Sequence, residues 1–531
     1  MKLLASPFGS VGHALRATLK AARETGDNYI EIPFGEYHVY KEEASHTVLC
    51  VSNHGHNGYK SAALVIEDFD GLTVDGNGST FILHGCMDFA IVNRSKNITI
   101  KNVTVKCIDI CNFQGKVVES SPEMVKVDLG ETHPKLYRYG RALFEDIEHE
   151  RVPFTRTLEY EPEKKKIRRG LGDDNFGKPF FNSFDLKFEG ETLCIPNVPV
   201  PPVVGNVIVF TISRRLGQAF LAAKSENVTF ENITVNTCWG MAFISQKCRD
   251  ITIRGCKVTP DGENCWSAGQ DATHFVNCRG KVLIEDCLFE NQLDDAVNLH
   301  GIYTRIEKVA GDQIMVGYKH WQTVGVDIYA PGDRIQILEQ ESQMPLFETT
   351  IKEVEVISNY RTILTLDSID SVVAEGMIVE SLDDNAEALI QNNVFRNNRA
   401  RGMLLASKGR TVVRNNLFNS GGAAIQFESD PFKWYECGGT RDVLIEGNLF
   451  DDCKYGKWGR AVIDIGKRRK VVEGFYYHDK IEIRNNRFTQ TEYPCLAADN
   501  VGNLIFDRTN EYVCENPVVL AHCIMDGKKY E

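Results

Sequence analysis

One short phrase recurs along this chain and narrows its possible folds more than any other feature. It appears as NITIKNVTV (97–105), NVTFENITV (227–235), DITIRGCKV (250–258) and VLIEDCLFEN (282–291). It returns as ALIQNNVFRNN (388–398), TVVRNNLFNS (411–420), VLIEGNLFDD (443–452) and IEIRNNRFTQ (481–490). Each copy alternates apolar and polar residues, which is a strand signal of period two. Each then kinks at Asn or Gly, residue types that tolerate the left-handed backbone a corner needs. Asn227 to Asp250 and Asn393 to Asn416 are both 23 residues apart. A unit of about 22–25 residues carrying two or three short strands is one coil of a parallel β-helix.

The repeat changes how the length is read. At about 150 residues per domain, 531 residues suggest three or four domains. A solenoid instead spends length on coil number. Asn392, Asn393, Asn415, Asn416, Asn448, Asn485 and Asn486 recur at equivalent places, and internal asparagines in adjacent coils stack as a ladder of amide bonds. Residues 11–25 set Leu15, Leu19 and Ala22 on one helical face before Gly26, the pattern of a helix that caps the first coil and covers its open edge. Two stretches lose the period: 108–210, with EPEKKKIRRG and IPNVPVPPVVG, and 302–384, with APGDRIQIL. Both read as small β-barrel-like modules inserted between coils, with long decorated loops as the alternative. The expected organisation is 1–107 cap and first coils, 108–210 insertion, 211–301 coils, 302–384 insertion and 385–531 final coils. The fold class is all-β.

Sixteen cysteines could make eight disulfides, but no CxxC pair or zinc-type cluster occurs. Cys238, Cys256, Cys278, Cys287 and Cys453 lie in or beside strands, where a thiol acts as a small core hydrophobe. Cys256 and Cys287 share a repeat position and are expected to point inward, reduced. The opening KLLA is too short for the apolar part of a signal peptide, so the expected location is cytoplasmic. Sixty Lys and Arg against 73 Asp and Glu give a net charge of −13, a poor match to a nucleic-acid backbone. No run of eighteen apolar residues suggests a membrane span.

Residues one period apart stack about 4.8 Å apart, so scattered residues of one phase become a patch. DAVNL (295–299) aligned on DATHF (271–275) puts Asp271 in phase with Asp295, beside Asp294, and His274 in phase with Asn298. The preceding coil contributes Trp239 and Gln246. The following coils bring Arg401 into the column and offer Glu428 and Asp430. Asp271, Asp294 and Asp295 are the candidate catalytic residues, because close carboxyls push their pKa values apart and leave an acid beside a base. That pair serves glycoside hydrolysis. Trp239, Trp266, Trp321 and Trp434 offer ring faces to a sugar, and His300 and Glu436 complete the substrate-binding candidates. The SNHGH run (52–56) reads as an ordered loop. No metal or cofactor is expected.

Five segments together resemble glycoside hydrolase family 110, whose members are α-1,3-galactosidases: DDAVNLHG, QDATHF, SNH, HWQTVG (320–325) before GDRI, and WYECGGTRDVLIEGNLF (434–450). The resemblance runs in order over most of the chain. It implies a right-handed parallel β-helix with two inserted barrel-like modules, the three aspartates as the catalytic set, and inversion without a metal. It also implies a galactose-terminated glycan, such as the blood group B antigen, as partner; a homodimer is left open. For inversion a diagonal pair, Asp271 with Asp294, suits the separation of about 6.5–9.5 Å better than stacked residues. The alternatives are a polygalacturonase-like hydrolase of family 28, a pectate lyase with Arg401 as base, and a non-catalytic carbohydrate-binding β-helix. The family 28 reading lacks its basic segment here, with GQD and LHG in place of its NTD and GHG.

Overall fold

In the computed structural model, residues 1–55, 58–108, 112–130, 156–173, 186–211, 215–466 and 470–531 are described, with 135–138, 141–145 and 151–152 as backbone strands. Among them two long sheets dominate, one of 20 strands and one of 13, and coil after coil adds a parallel strand to each. Thr273–Val276, for example, lies between Phe243–Gln246 and Val297–Ile302, and the latter pairs onward with Met403–Leu405. This is a parallel β-helix.

The alternation in each repeat becomes a burial alternation. In Glu387–Gln391, Ala388 and Ile390 point into the interior and their neighbours do not. One phenylalanine per coil stacks down the axis: Phe289, Phe395, Phe418, Phe450 and Phe488, with ring centroids 4.6–5.7 Å apart. At the kink, each NN pair divides its labour. Asn392, Asn415 and Asn485 take positive φ at the outer corner. Asn393, Asn416, Asn448 and Asn486 turn inward, and Asn510 extends their line. So the ladder holds only one asparagine of each pair, and it ends on a residue outside the repeat. Cys287 stands one coil before Asn393 in the same column and donates its backbone N–H to the Asn393 Oδ1. Its thiol and that of Cys256 are buried, and no described cysteine is in a disulfide.

The helix Val11–Thr25 starts where Ser10 accepts from the His13 N–H and stops at left-handed Gly26. It buries Leu15, Leu19 and Ala22 against the first strands. Among the described residues, no helix is long and apolar enough to cross a membrane.

In both aperiodic stretches the described residues form strands. In the first, Phe113–Ser120, Met124–Asp128, Arg156–Glu161, Thr192–Pro196 and Val207–Thr211 belong to a seven-stranded antiparallel sheet. The second closes a six-stranded barrel from Thr304–Ala310 to Ile378–Ser381. Ile306, Ile314, Val316, Ile335, Ile337 and Leu364 fill its own core.

Candidate active site

The ladder register sets the site. Thr273 pairs with Val297 and Val297 with Met403, so two residues earlier Asp271, Asp295 and Arg401 form one column. The Ala272 N–H bonds the Asp295 carbonyl and the Ala296 N–H bonds the Arg401 carbonyl, which carries the register through the corner. Asp271, Asp294 and Asp295 are all buried, and one carboxylate oxygen from each lies within 4.8 Å of the others. That is tighter than the separation expected of an inverting pair.

Each carboxyl has its own partners. Asp295 accepts from Arg401 three times: from N and Nε at 2.9 Å on Oδ1, and from Nη2 at 2.7 Å on Oδ2. Asp294 accepts from Arg399 Nη2 at 2.9 Å and Arg215 Nη2 at 3.3 Å. Asp271 accepts the Asp295 N–H at 3.1 Å and lies 2.6 Å from His274 Nδ1.

These surroundings drive the carboxyls apart. Burial raises Asp294, but Arg399, Arg215, Arg156 and Arg401 outweigh it and hold this carboxyl at about 2. Burial and then the charge of Asp294 push Asp271 up to about 7. Burial pushes Asp295 up to about 7 as well, with Arg401 opposing. Three N–H donors converge on Asp295, whereas Asp271 faces a ring nitrogen. A proton held in this cluster therefore sits on the Asp271 side.

Several sequence expectations need correction. Trp239 is offset by two positions from the Asp271 column, and it is 1% exposed in the core; it offers no face to a sugar. Trp266 packs with Tyr160 and Tyr455 instead. Gln246 is buried and uses both ends of its amide on the 50–52 loop, accepting from Ser52 N and donating to Cys50 O. His274 and His300 are buried and spend their ring nitrogens on Asp271, on each other and on the Gly301 carbonyl. Both rings are thus bonded within the protein. Glu428 accepts from Gln426 Nε2, two coils beyond Asn298.

Other candidates gather round the aspartates. Asn298 stacks on His274, and its buried Oδ1 lacks a partner. Trp434 is half-buried, with its ring 4.7 Å from His320 and 5.5 Å from the Arg215 guanidinium. Asp430 accepts the N–H groups of Phe432, Lys433 and Trp434 and so shapes the loop that presents this ring. Trp321, 57% exposed, stands beside His320 on a short 3-10 turn of the second insertion. Glu436 accepts from Asn53 Nδ2 at 2.9 Å and lies 3.7 Å from His300 Nε2.

The SNHGH run is built into the wall. Asn53 donates its N–H to Gln322 of the second insertion, and its carbonyl accepts from Arg215. His54 is fully buried, and burial holds its pKa well below the usual imidazole value. Gly240 must be glycine beside it, since a Cβ there would come 2.5 Å from the Gly217 carbonyl and 3.0 Å from His54 Nε2. His56 lies outside the described residues.

Sequence reasoning missed Arg215, Arg399, Asp173 and Trp458. Arg399 bonds Asp294 and both oxygens of Asp173, and its guanidinium lies 5.3 Å from the Trp458 ring. Thus each guanidinium on Asp294 is backed by a tryptophan: Arg215 by Trp434, Arg399 by Trp458. Arg399 stands two residues before the recognised Arg401, so the phase could have found it. Arg215 and Asp173 lie outside the repeat and carry no phase.

Among the described residues, no other set of three His, Cys, Asp or Glu side chains sits at metal-ligand spacing. Here the carboxylate oxygens already accept from three arginine side chains and two backbone N–H groups, and cationic donors fit a divalent ion poorly.

Residues 313–376, within the second barrel, match the family described as GLAA-B beta-barrel domain II. Over 94% of its length the chain is 30% identical to alpha-1,3-galactosidase A of Shewanella woodyi, covering 83% of that protein. It is 28% identical to alpha-1,3-galactosidase A of Bacteroides fragilis, over 95% of this chain and 86% of that one. Among solved structures, the Yersinia enterocolitica family 28 exopolygalacturonase aligns with 97% of this chain and 76% of its own, at 11% identity and a TM-score of 0.41.

Proposed function

The chain belongs to the α-1,3-galactosidase family and is a glycoside hydrolase acting on α-galactosides, and from that premise we propose that it removes terminal α-1,3-linked galactose as an exo-acting, inverting enzyme, with Asp271, Asp294 and Asp295 as the catalytic set. The observation that carries this reading is the buried three-carboxyl cluster, with one member held at about 2 and another pushed up to about 7. Such a split leaves a protonated acid beside an ionised base at neutral pH. In a single displacement, one carboxyl gives its proton to the glycosidic oxygen as the bond to C1 breaks. Another takes a proton from the water whose oxygen bonds to C1.

Exo action is supported by enclosure. Asp294 is 8% exposed and stands between the Arg215–Trp434 and Arg399–Trp458 pairs. That suits one sugar at a chain end better than a strand running through. Trp434 is the proposed galactose platform, and Trp321, farther out, the acceptor-side one. Asn298 Oδ1 is a free acceptor for a sugar hydroxyl. A polygalacturonase would want spare cations for its uronates, and Arg215, Arg399 and Arg401 are each engaged by an aspartate.

The short carboxyl spacing favours a second reading, a retaining double displacement, whose carboxyls lie about 5–5.5 Å apart. Against it, all three carboxyls are already bonded, Asp271 with His274, Asp294 with Arg399 and Arg215, and Asp295 with Arg401, which leaves none free to form a glycosyl ester. The test is a screen with p-nitrophenyl α-galactoside, α-1,3-galactobiose and a fucosylated blood group B trisaccharide, followed by proton NMR. Release of β-galactose first is expected. The α-anomer would overturn inversion, and no galactose from any of the three would overturn the activity. Cleavage of the disaccharide alone, or of the trisaccharide too, separates linear from branched preference.

A further inference from the structure

His274 bonds Asp271 and His300 bonds His274, and this bonding fixes where protons can be. The Gly301 carbonyl can only accept, so His300 Nδ1, at 2.7 Å, carries a hydrogen. A neutral His300 therefore has a bare Nε2. That nitrogen lies 3.0 Å from His274 Nε2, which must then be the donor. A neutral His274 is left with a bare Nδ1, and this faces Asp271 Oδ2 at 2.6 Å. Two bare acceptors at that distance in a buried site repel one another, so one hydrogen must lie between them. The three side chains together hold one proton beyond two neutral rings and a carboxylate.

We propose that Asp271, His274 and His300 form a proton wire that holds one mobile proton and carries it between the carboxyl cluster and Glu436. This rests on the reading that the cluster is catalytic. At one end of the wire the proton is on Asp271, and both rings are neutral. Transfer breaks the Asp271 O–H bond and forms His274 Nδ1–H, while His274 Nε2–H breaks and His300 Nε2–H forms. Asp271 is then a carboxylate, and His300 is an imidazolium 3.7 Å from the Glu436 carboxylate. No proton enters or leaves, so the buried site keeps its net charge. Asp271 can thus be acid or base without contact with bulk water.

The charged surroundings suit a shuttle with two ends. Asp294, Arg215 and Arg401 face the Asp271 end; at His274 burial and His300 oppose a positive charge, as does Arg215, while Glu436 and Asp294 favour it. His54, the other imidazole within reach of His274, is held neutral by burial. Asn53 fixes Glu436 at the far end. His274, His300 and Glu436 are thus positioning residues, acting through Asp271.

Two measurements test the wire. The first reads the resting protein by NMR with 15N-labelled histidine and needs no activity, so it stands apart from the galactosidase reading. The expected result is His300 protonated at Nδ1 and a strongly downfield bridging proton that vanishes in Asp271→Ala. Ordinary Nε2–H tautomers on both rings would overturn the wire. The second is the pH profile of kcat/KM on p-nitrophenyl α-galactoside for His300→Gln and Glu436→Gln. Loss of the proton sink should lower the rate by about 10²-fold for His300→Gln and move the acid limb to higher pH in both. A uniform loss at every pH, with the limb unmoved, would mean a structural role and overturn the proposal.

Discussion

Asn416→Ala tests whether the internal amide ladder holds the coils together. The Asn416 Oδ1 accepts two bonds from Asn393, from its backbone N at 3.0 Å and its Nδ2 at 2.9 Å. The Asn416 Nδ2 donates to the Ile390 carbonyl and to Asn448 Oδ1, both at 3.0 Å. Alanine removes all four. Asn448 Oδ1 keeps the Asn416 backbone N–H, and Asn393 Nδ2 keeps the Ile284 carbonyl. What is orphaned is the Asn393 N–H and one amide hydrogen, and the Ile390 carbonyl loses its side-chain donor. A buried unsatisfied group costs about 1–3 kcal/mol, so the expected loss is about 4 kcal/mol. That is a large part of a typical stability of about 5–15 kcal/mol. Asn415→Ala, one residue away, is the control. Asn415 is exposed at φ 54, so alanine there costs only the left-handed strain of about 1–2 kcal/mol. Urea unfolding followed by tryptophan fluorescence compares the two. Equal losses in both variants, within about 0.5 kcal/mol, would refute the ladder reasoning.

Asp271→Asn should stabilise the protein at pH 8. The native carboxyl is raised to about 7 from 3.8, so the folded state binds an extra proton between those values and stability falls as pH rises through the window. Asparagine lacks that penalty, and its amide can still donate to His274; the gain should reach up to about 4 kcal/mol at pH 8 and vanish near pH 4, and thermal melts at both pH values check it. Trp434→Ala should raise KM for p-nitrophenyl α-galactoside about tenfold, the value of one aromatic contact; an unchanged KM in steady-state kinetics would remove Trp434 from the galactose site. Treatment with a chelator should leave galactoside hydrolysis unchanged, since the aspartate oxygens are already bonded; activity lost and then restored by added metal would contradict that.

The column of Asp271, Asp295 and Arg401 was legible in the sequence because parallel pairing preserves phase. One register carried across the coils places all three. The same logic failed for Trp239, because a two-residue offset at a corner is invisible without the backbone path. It also failed for His274 and His300. Their phase was right, but a ring reaches diagonally, and His274 meets His300 rather than its direct neighbour Asn298. Arg215, Asp173 and Asn53 had no phase to read. They reach the site from segments outside the repeat, placed by contacts such as Asn53 with Gln322 and Asp173 with Arg399. The NN pairs show the limit most simply. Both asparagines look alike in sequence, and only the handedness of the first corner residue decides which enters the ladder.

We propose that the buried aspartate cluster hydrolyses α-1,3-galactosides. Release of galactose from α-1,3-galactobiose, measured side by side for the unaltered protein and Asp294→Asn at matched folding by circular dichroism, tests it most directly. Turnover by the unaltered protein is expected, with a loss of at least about 10³-fold in the variant and galactose binding retained. Equal rates would contradict it.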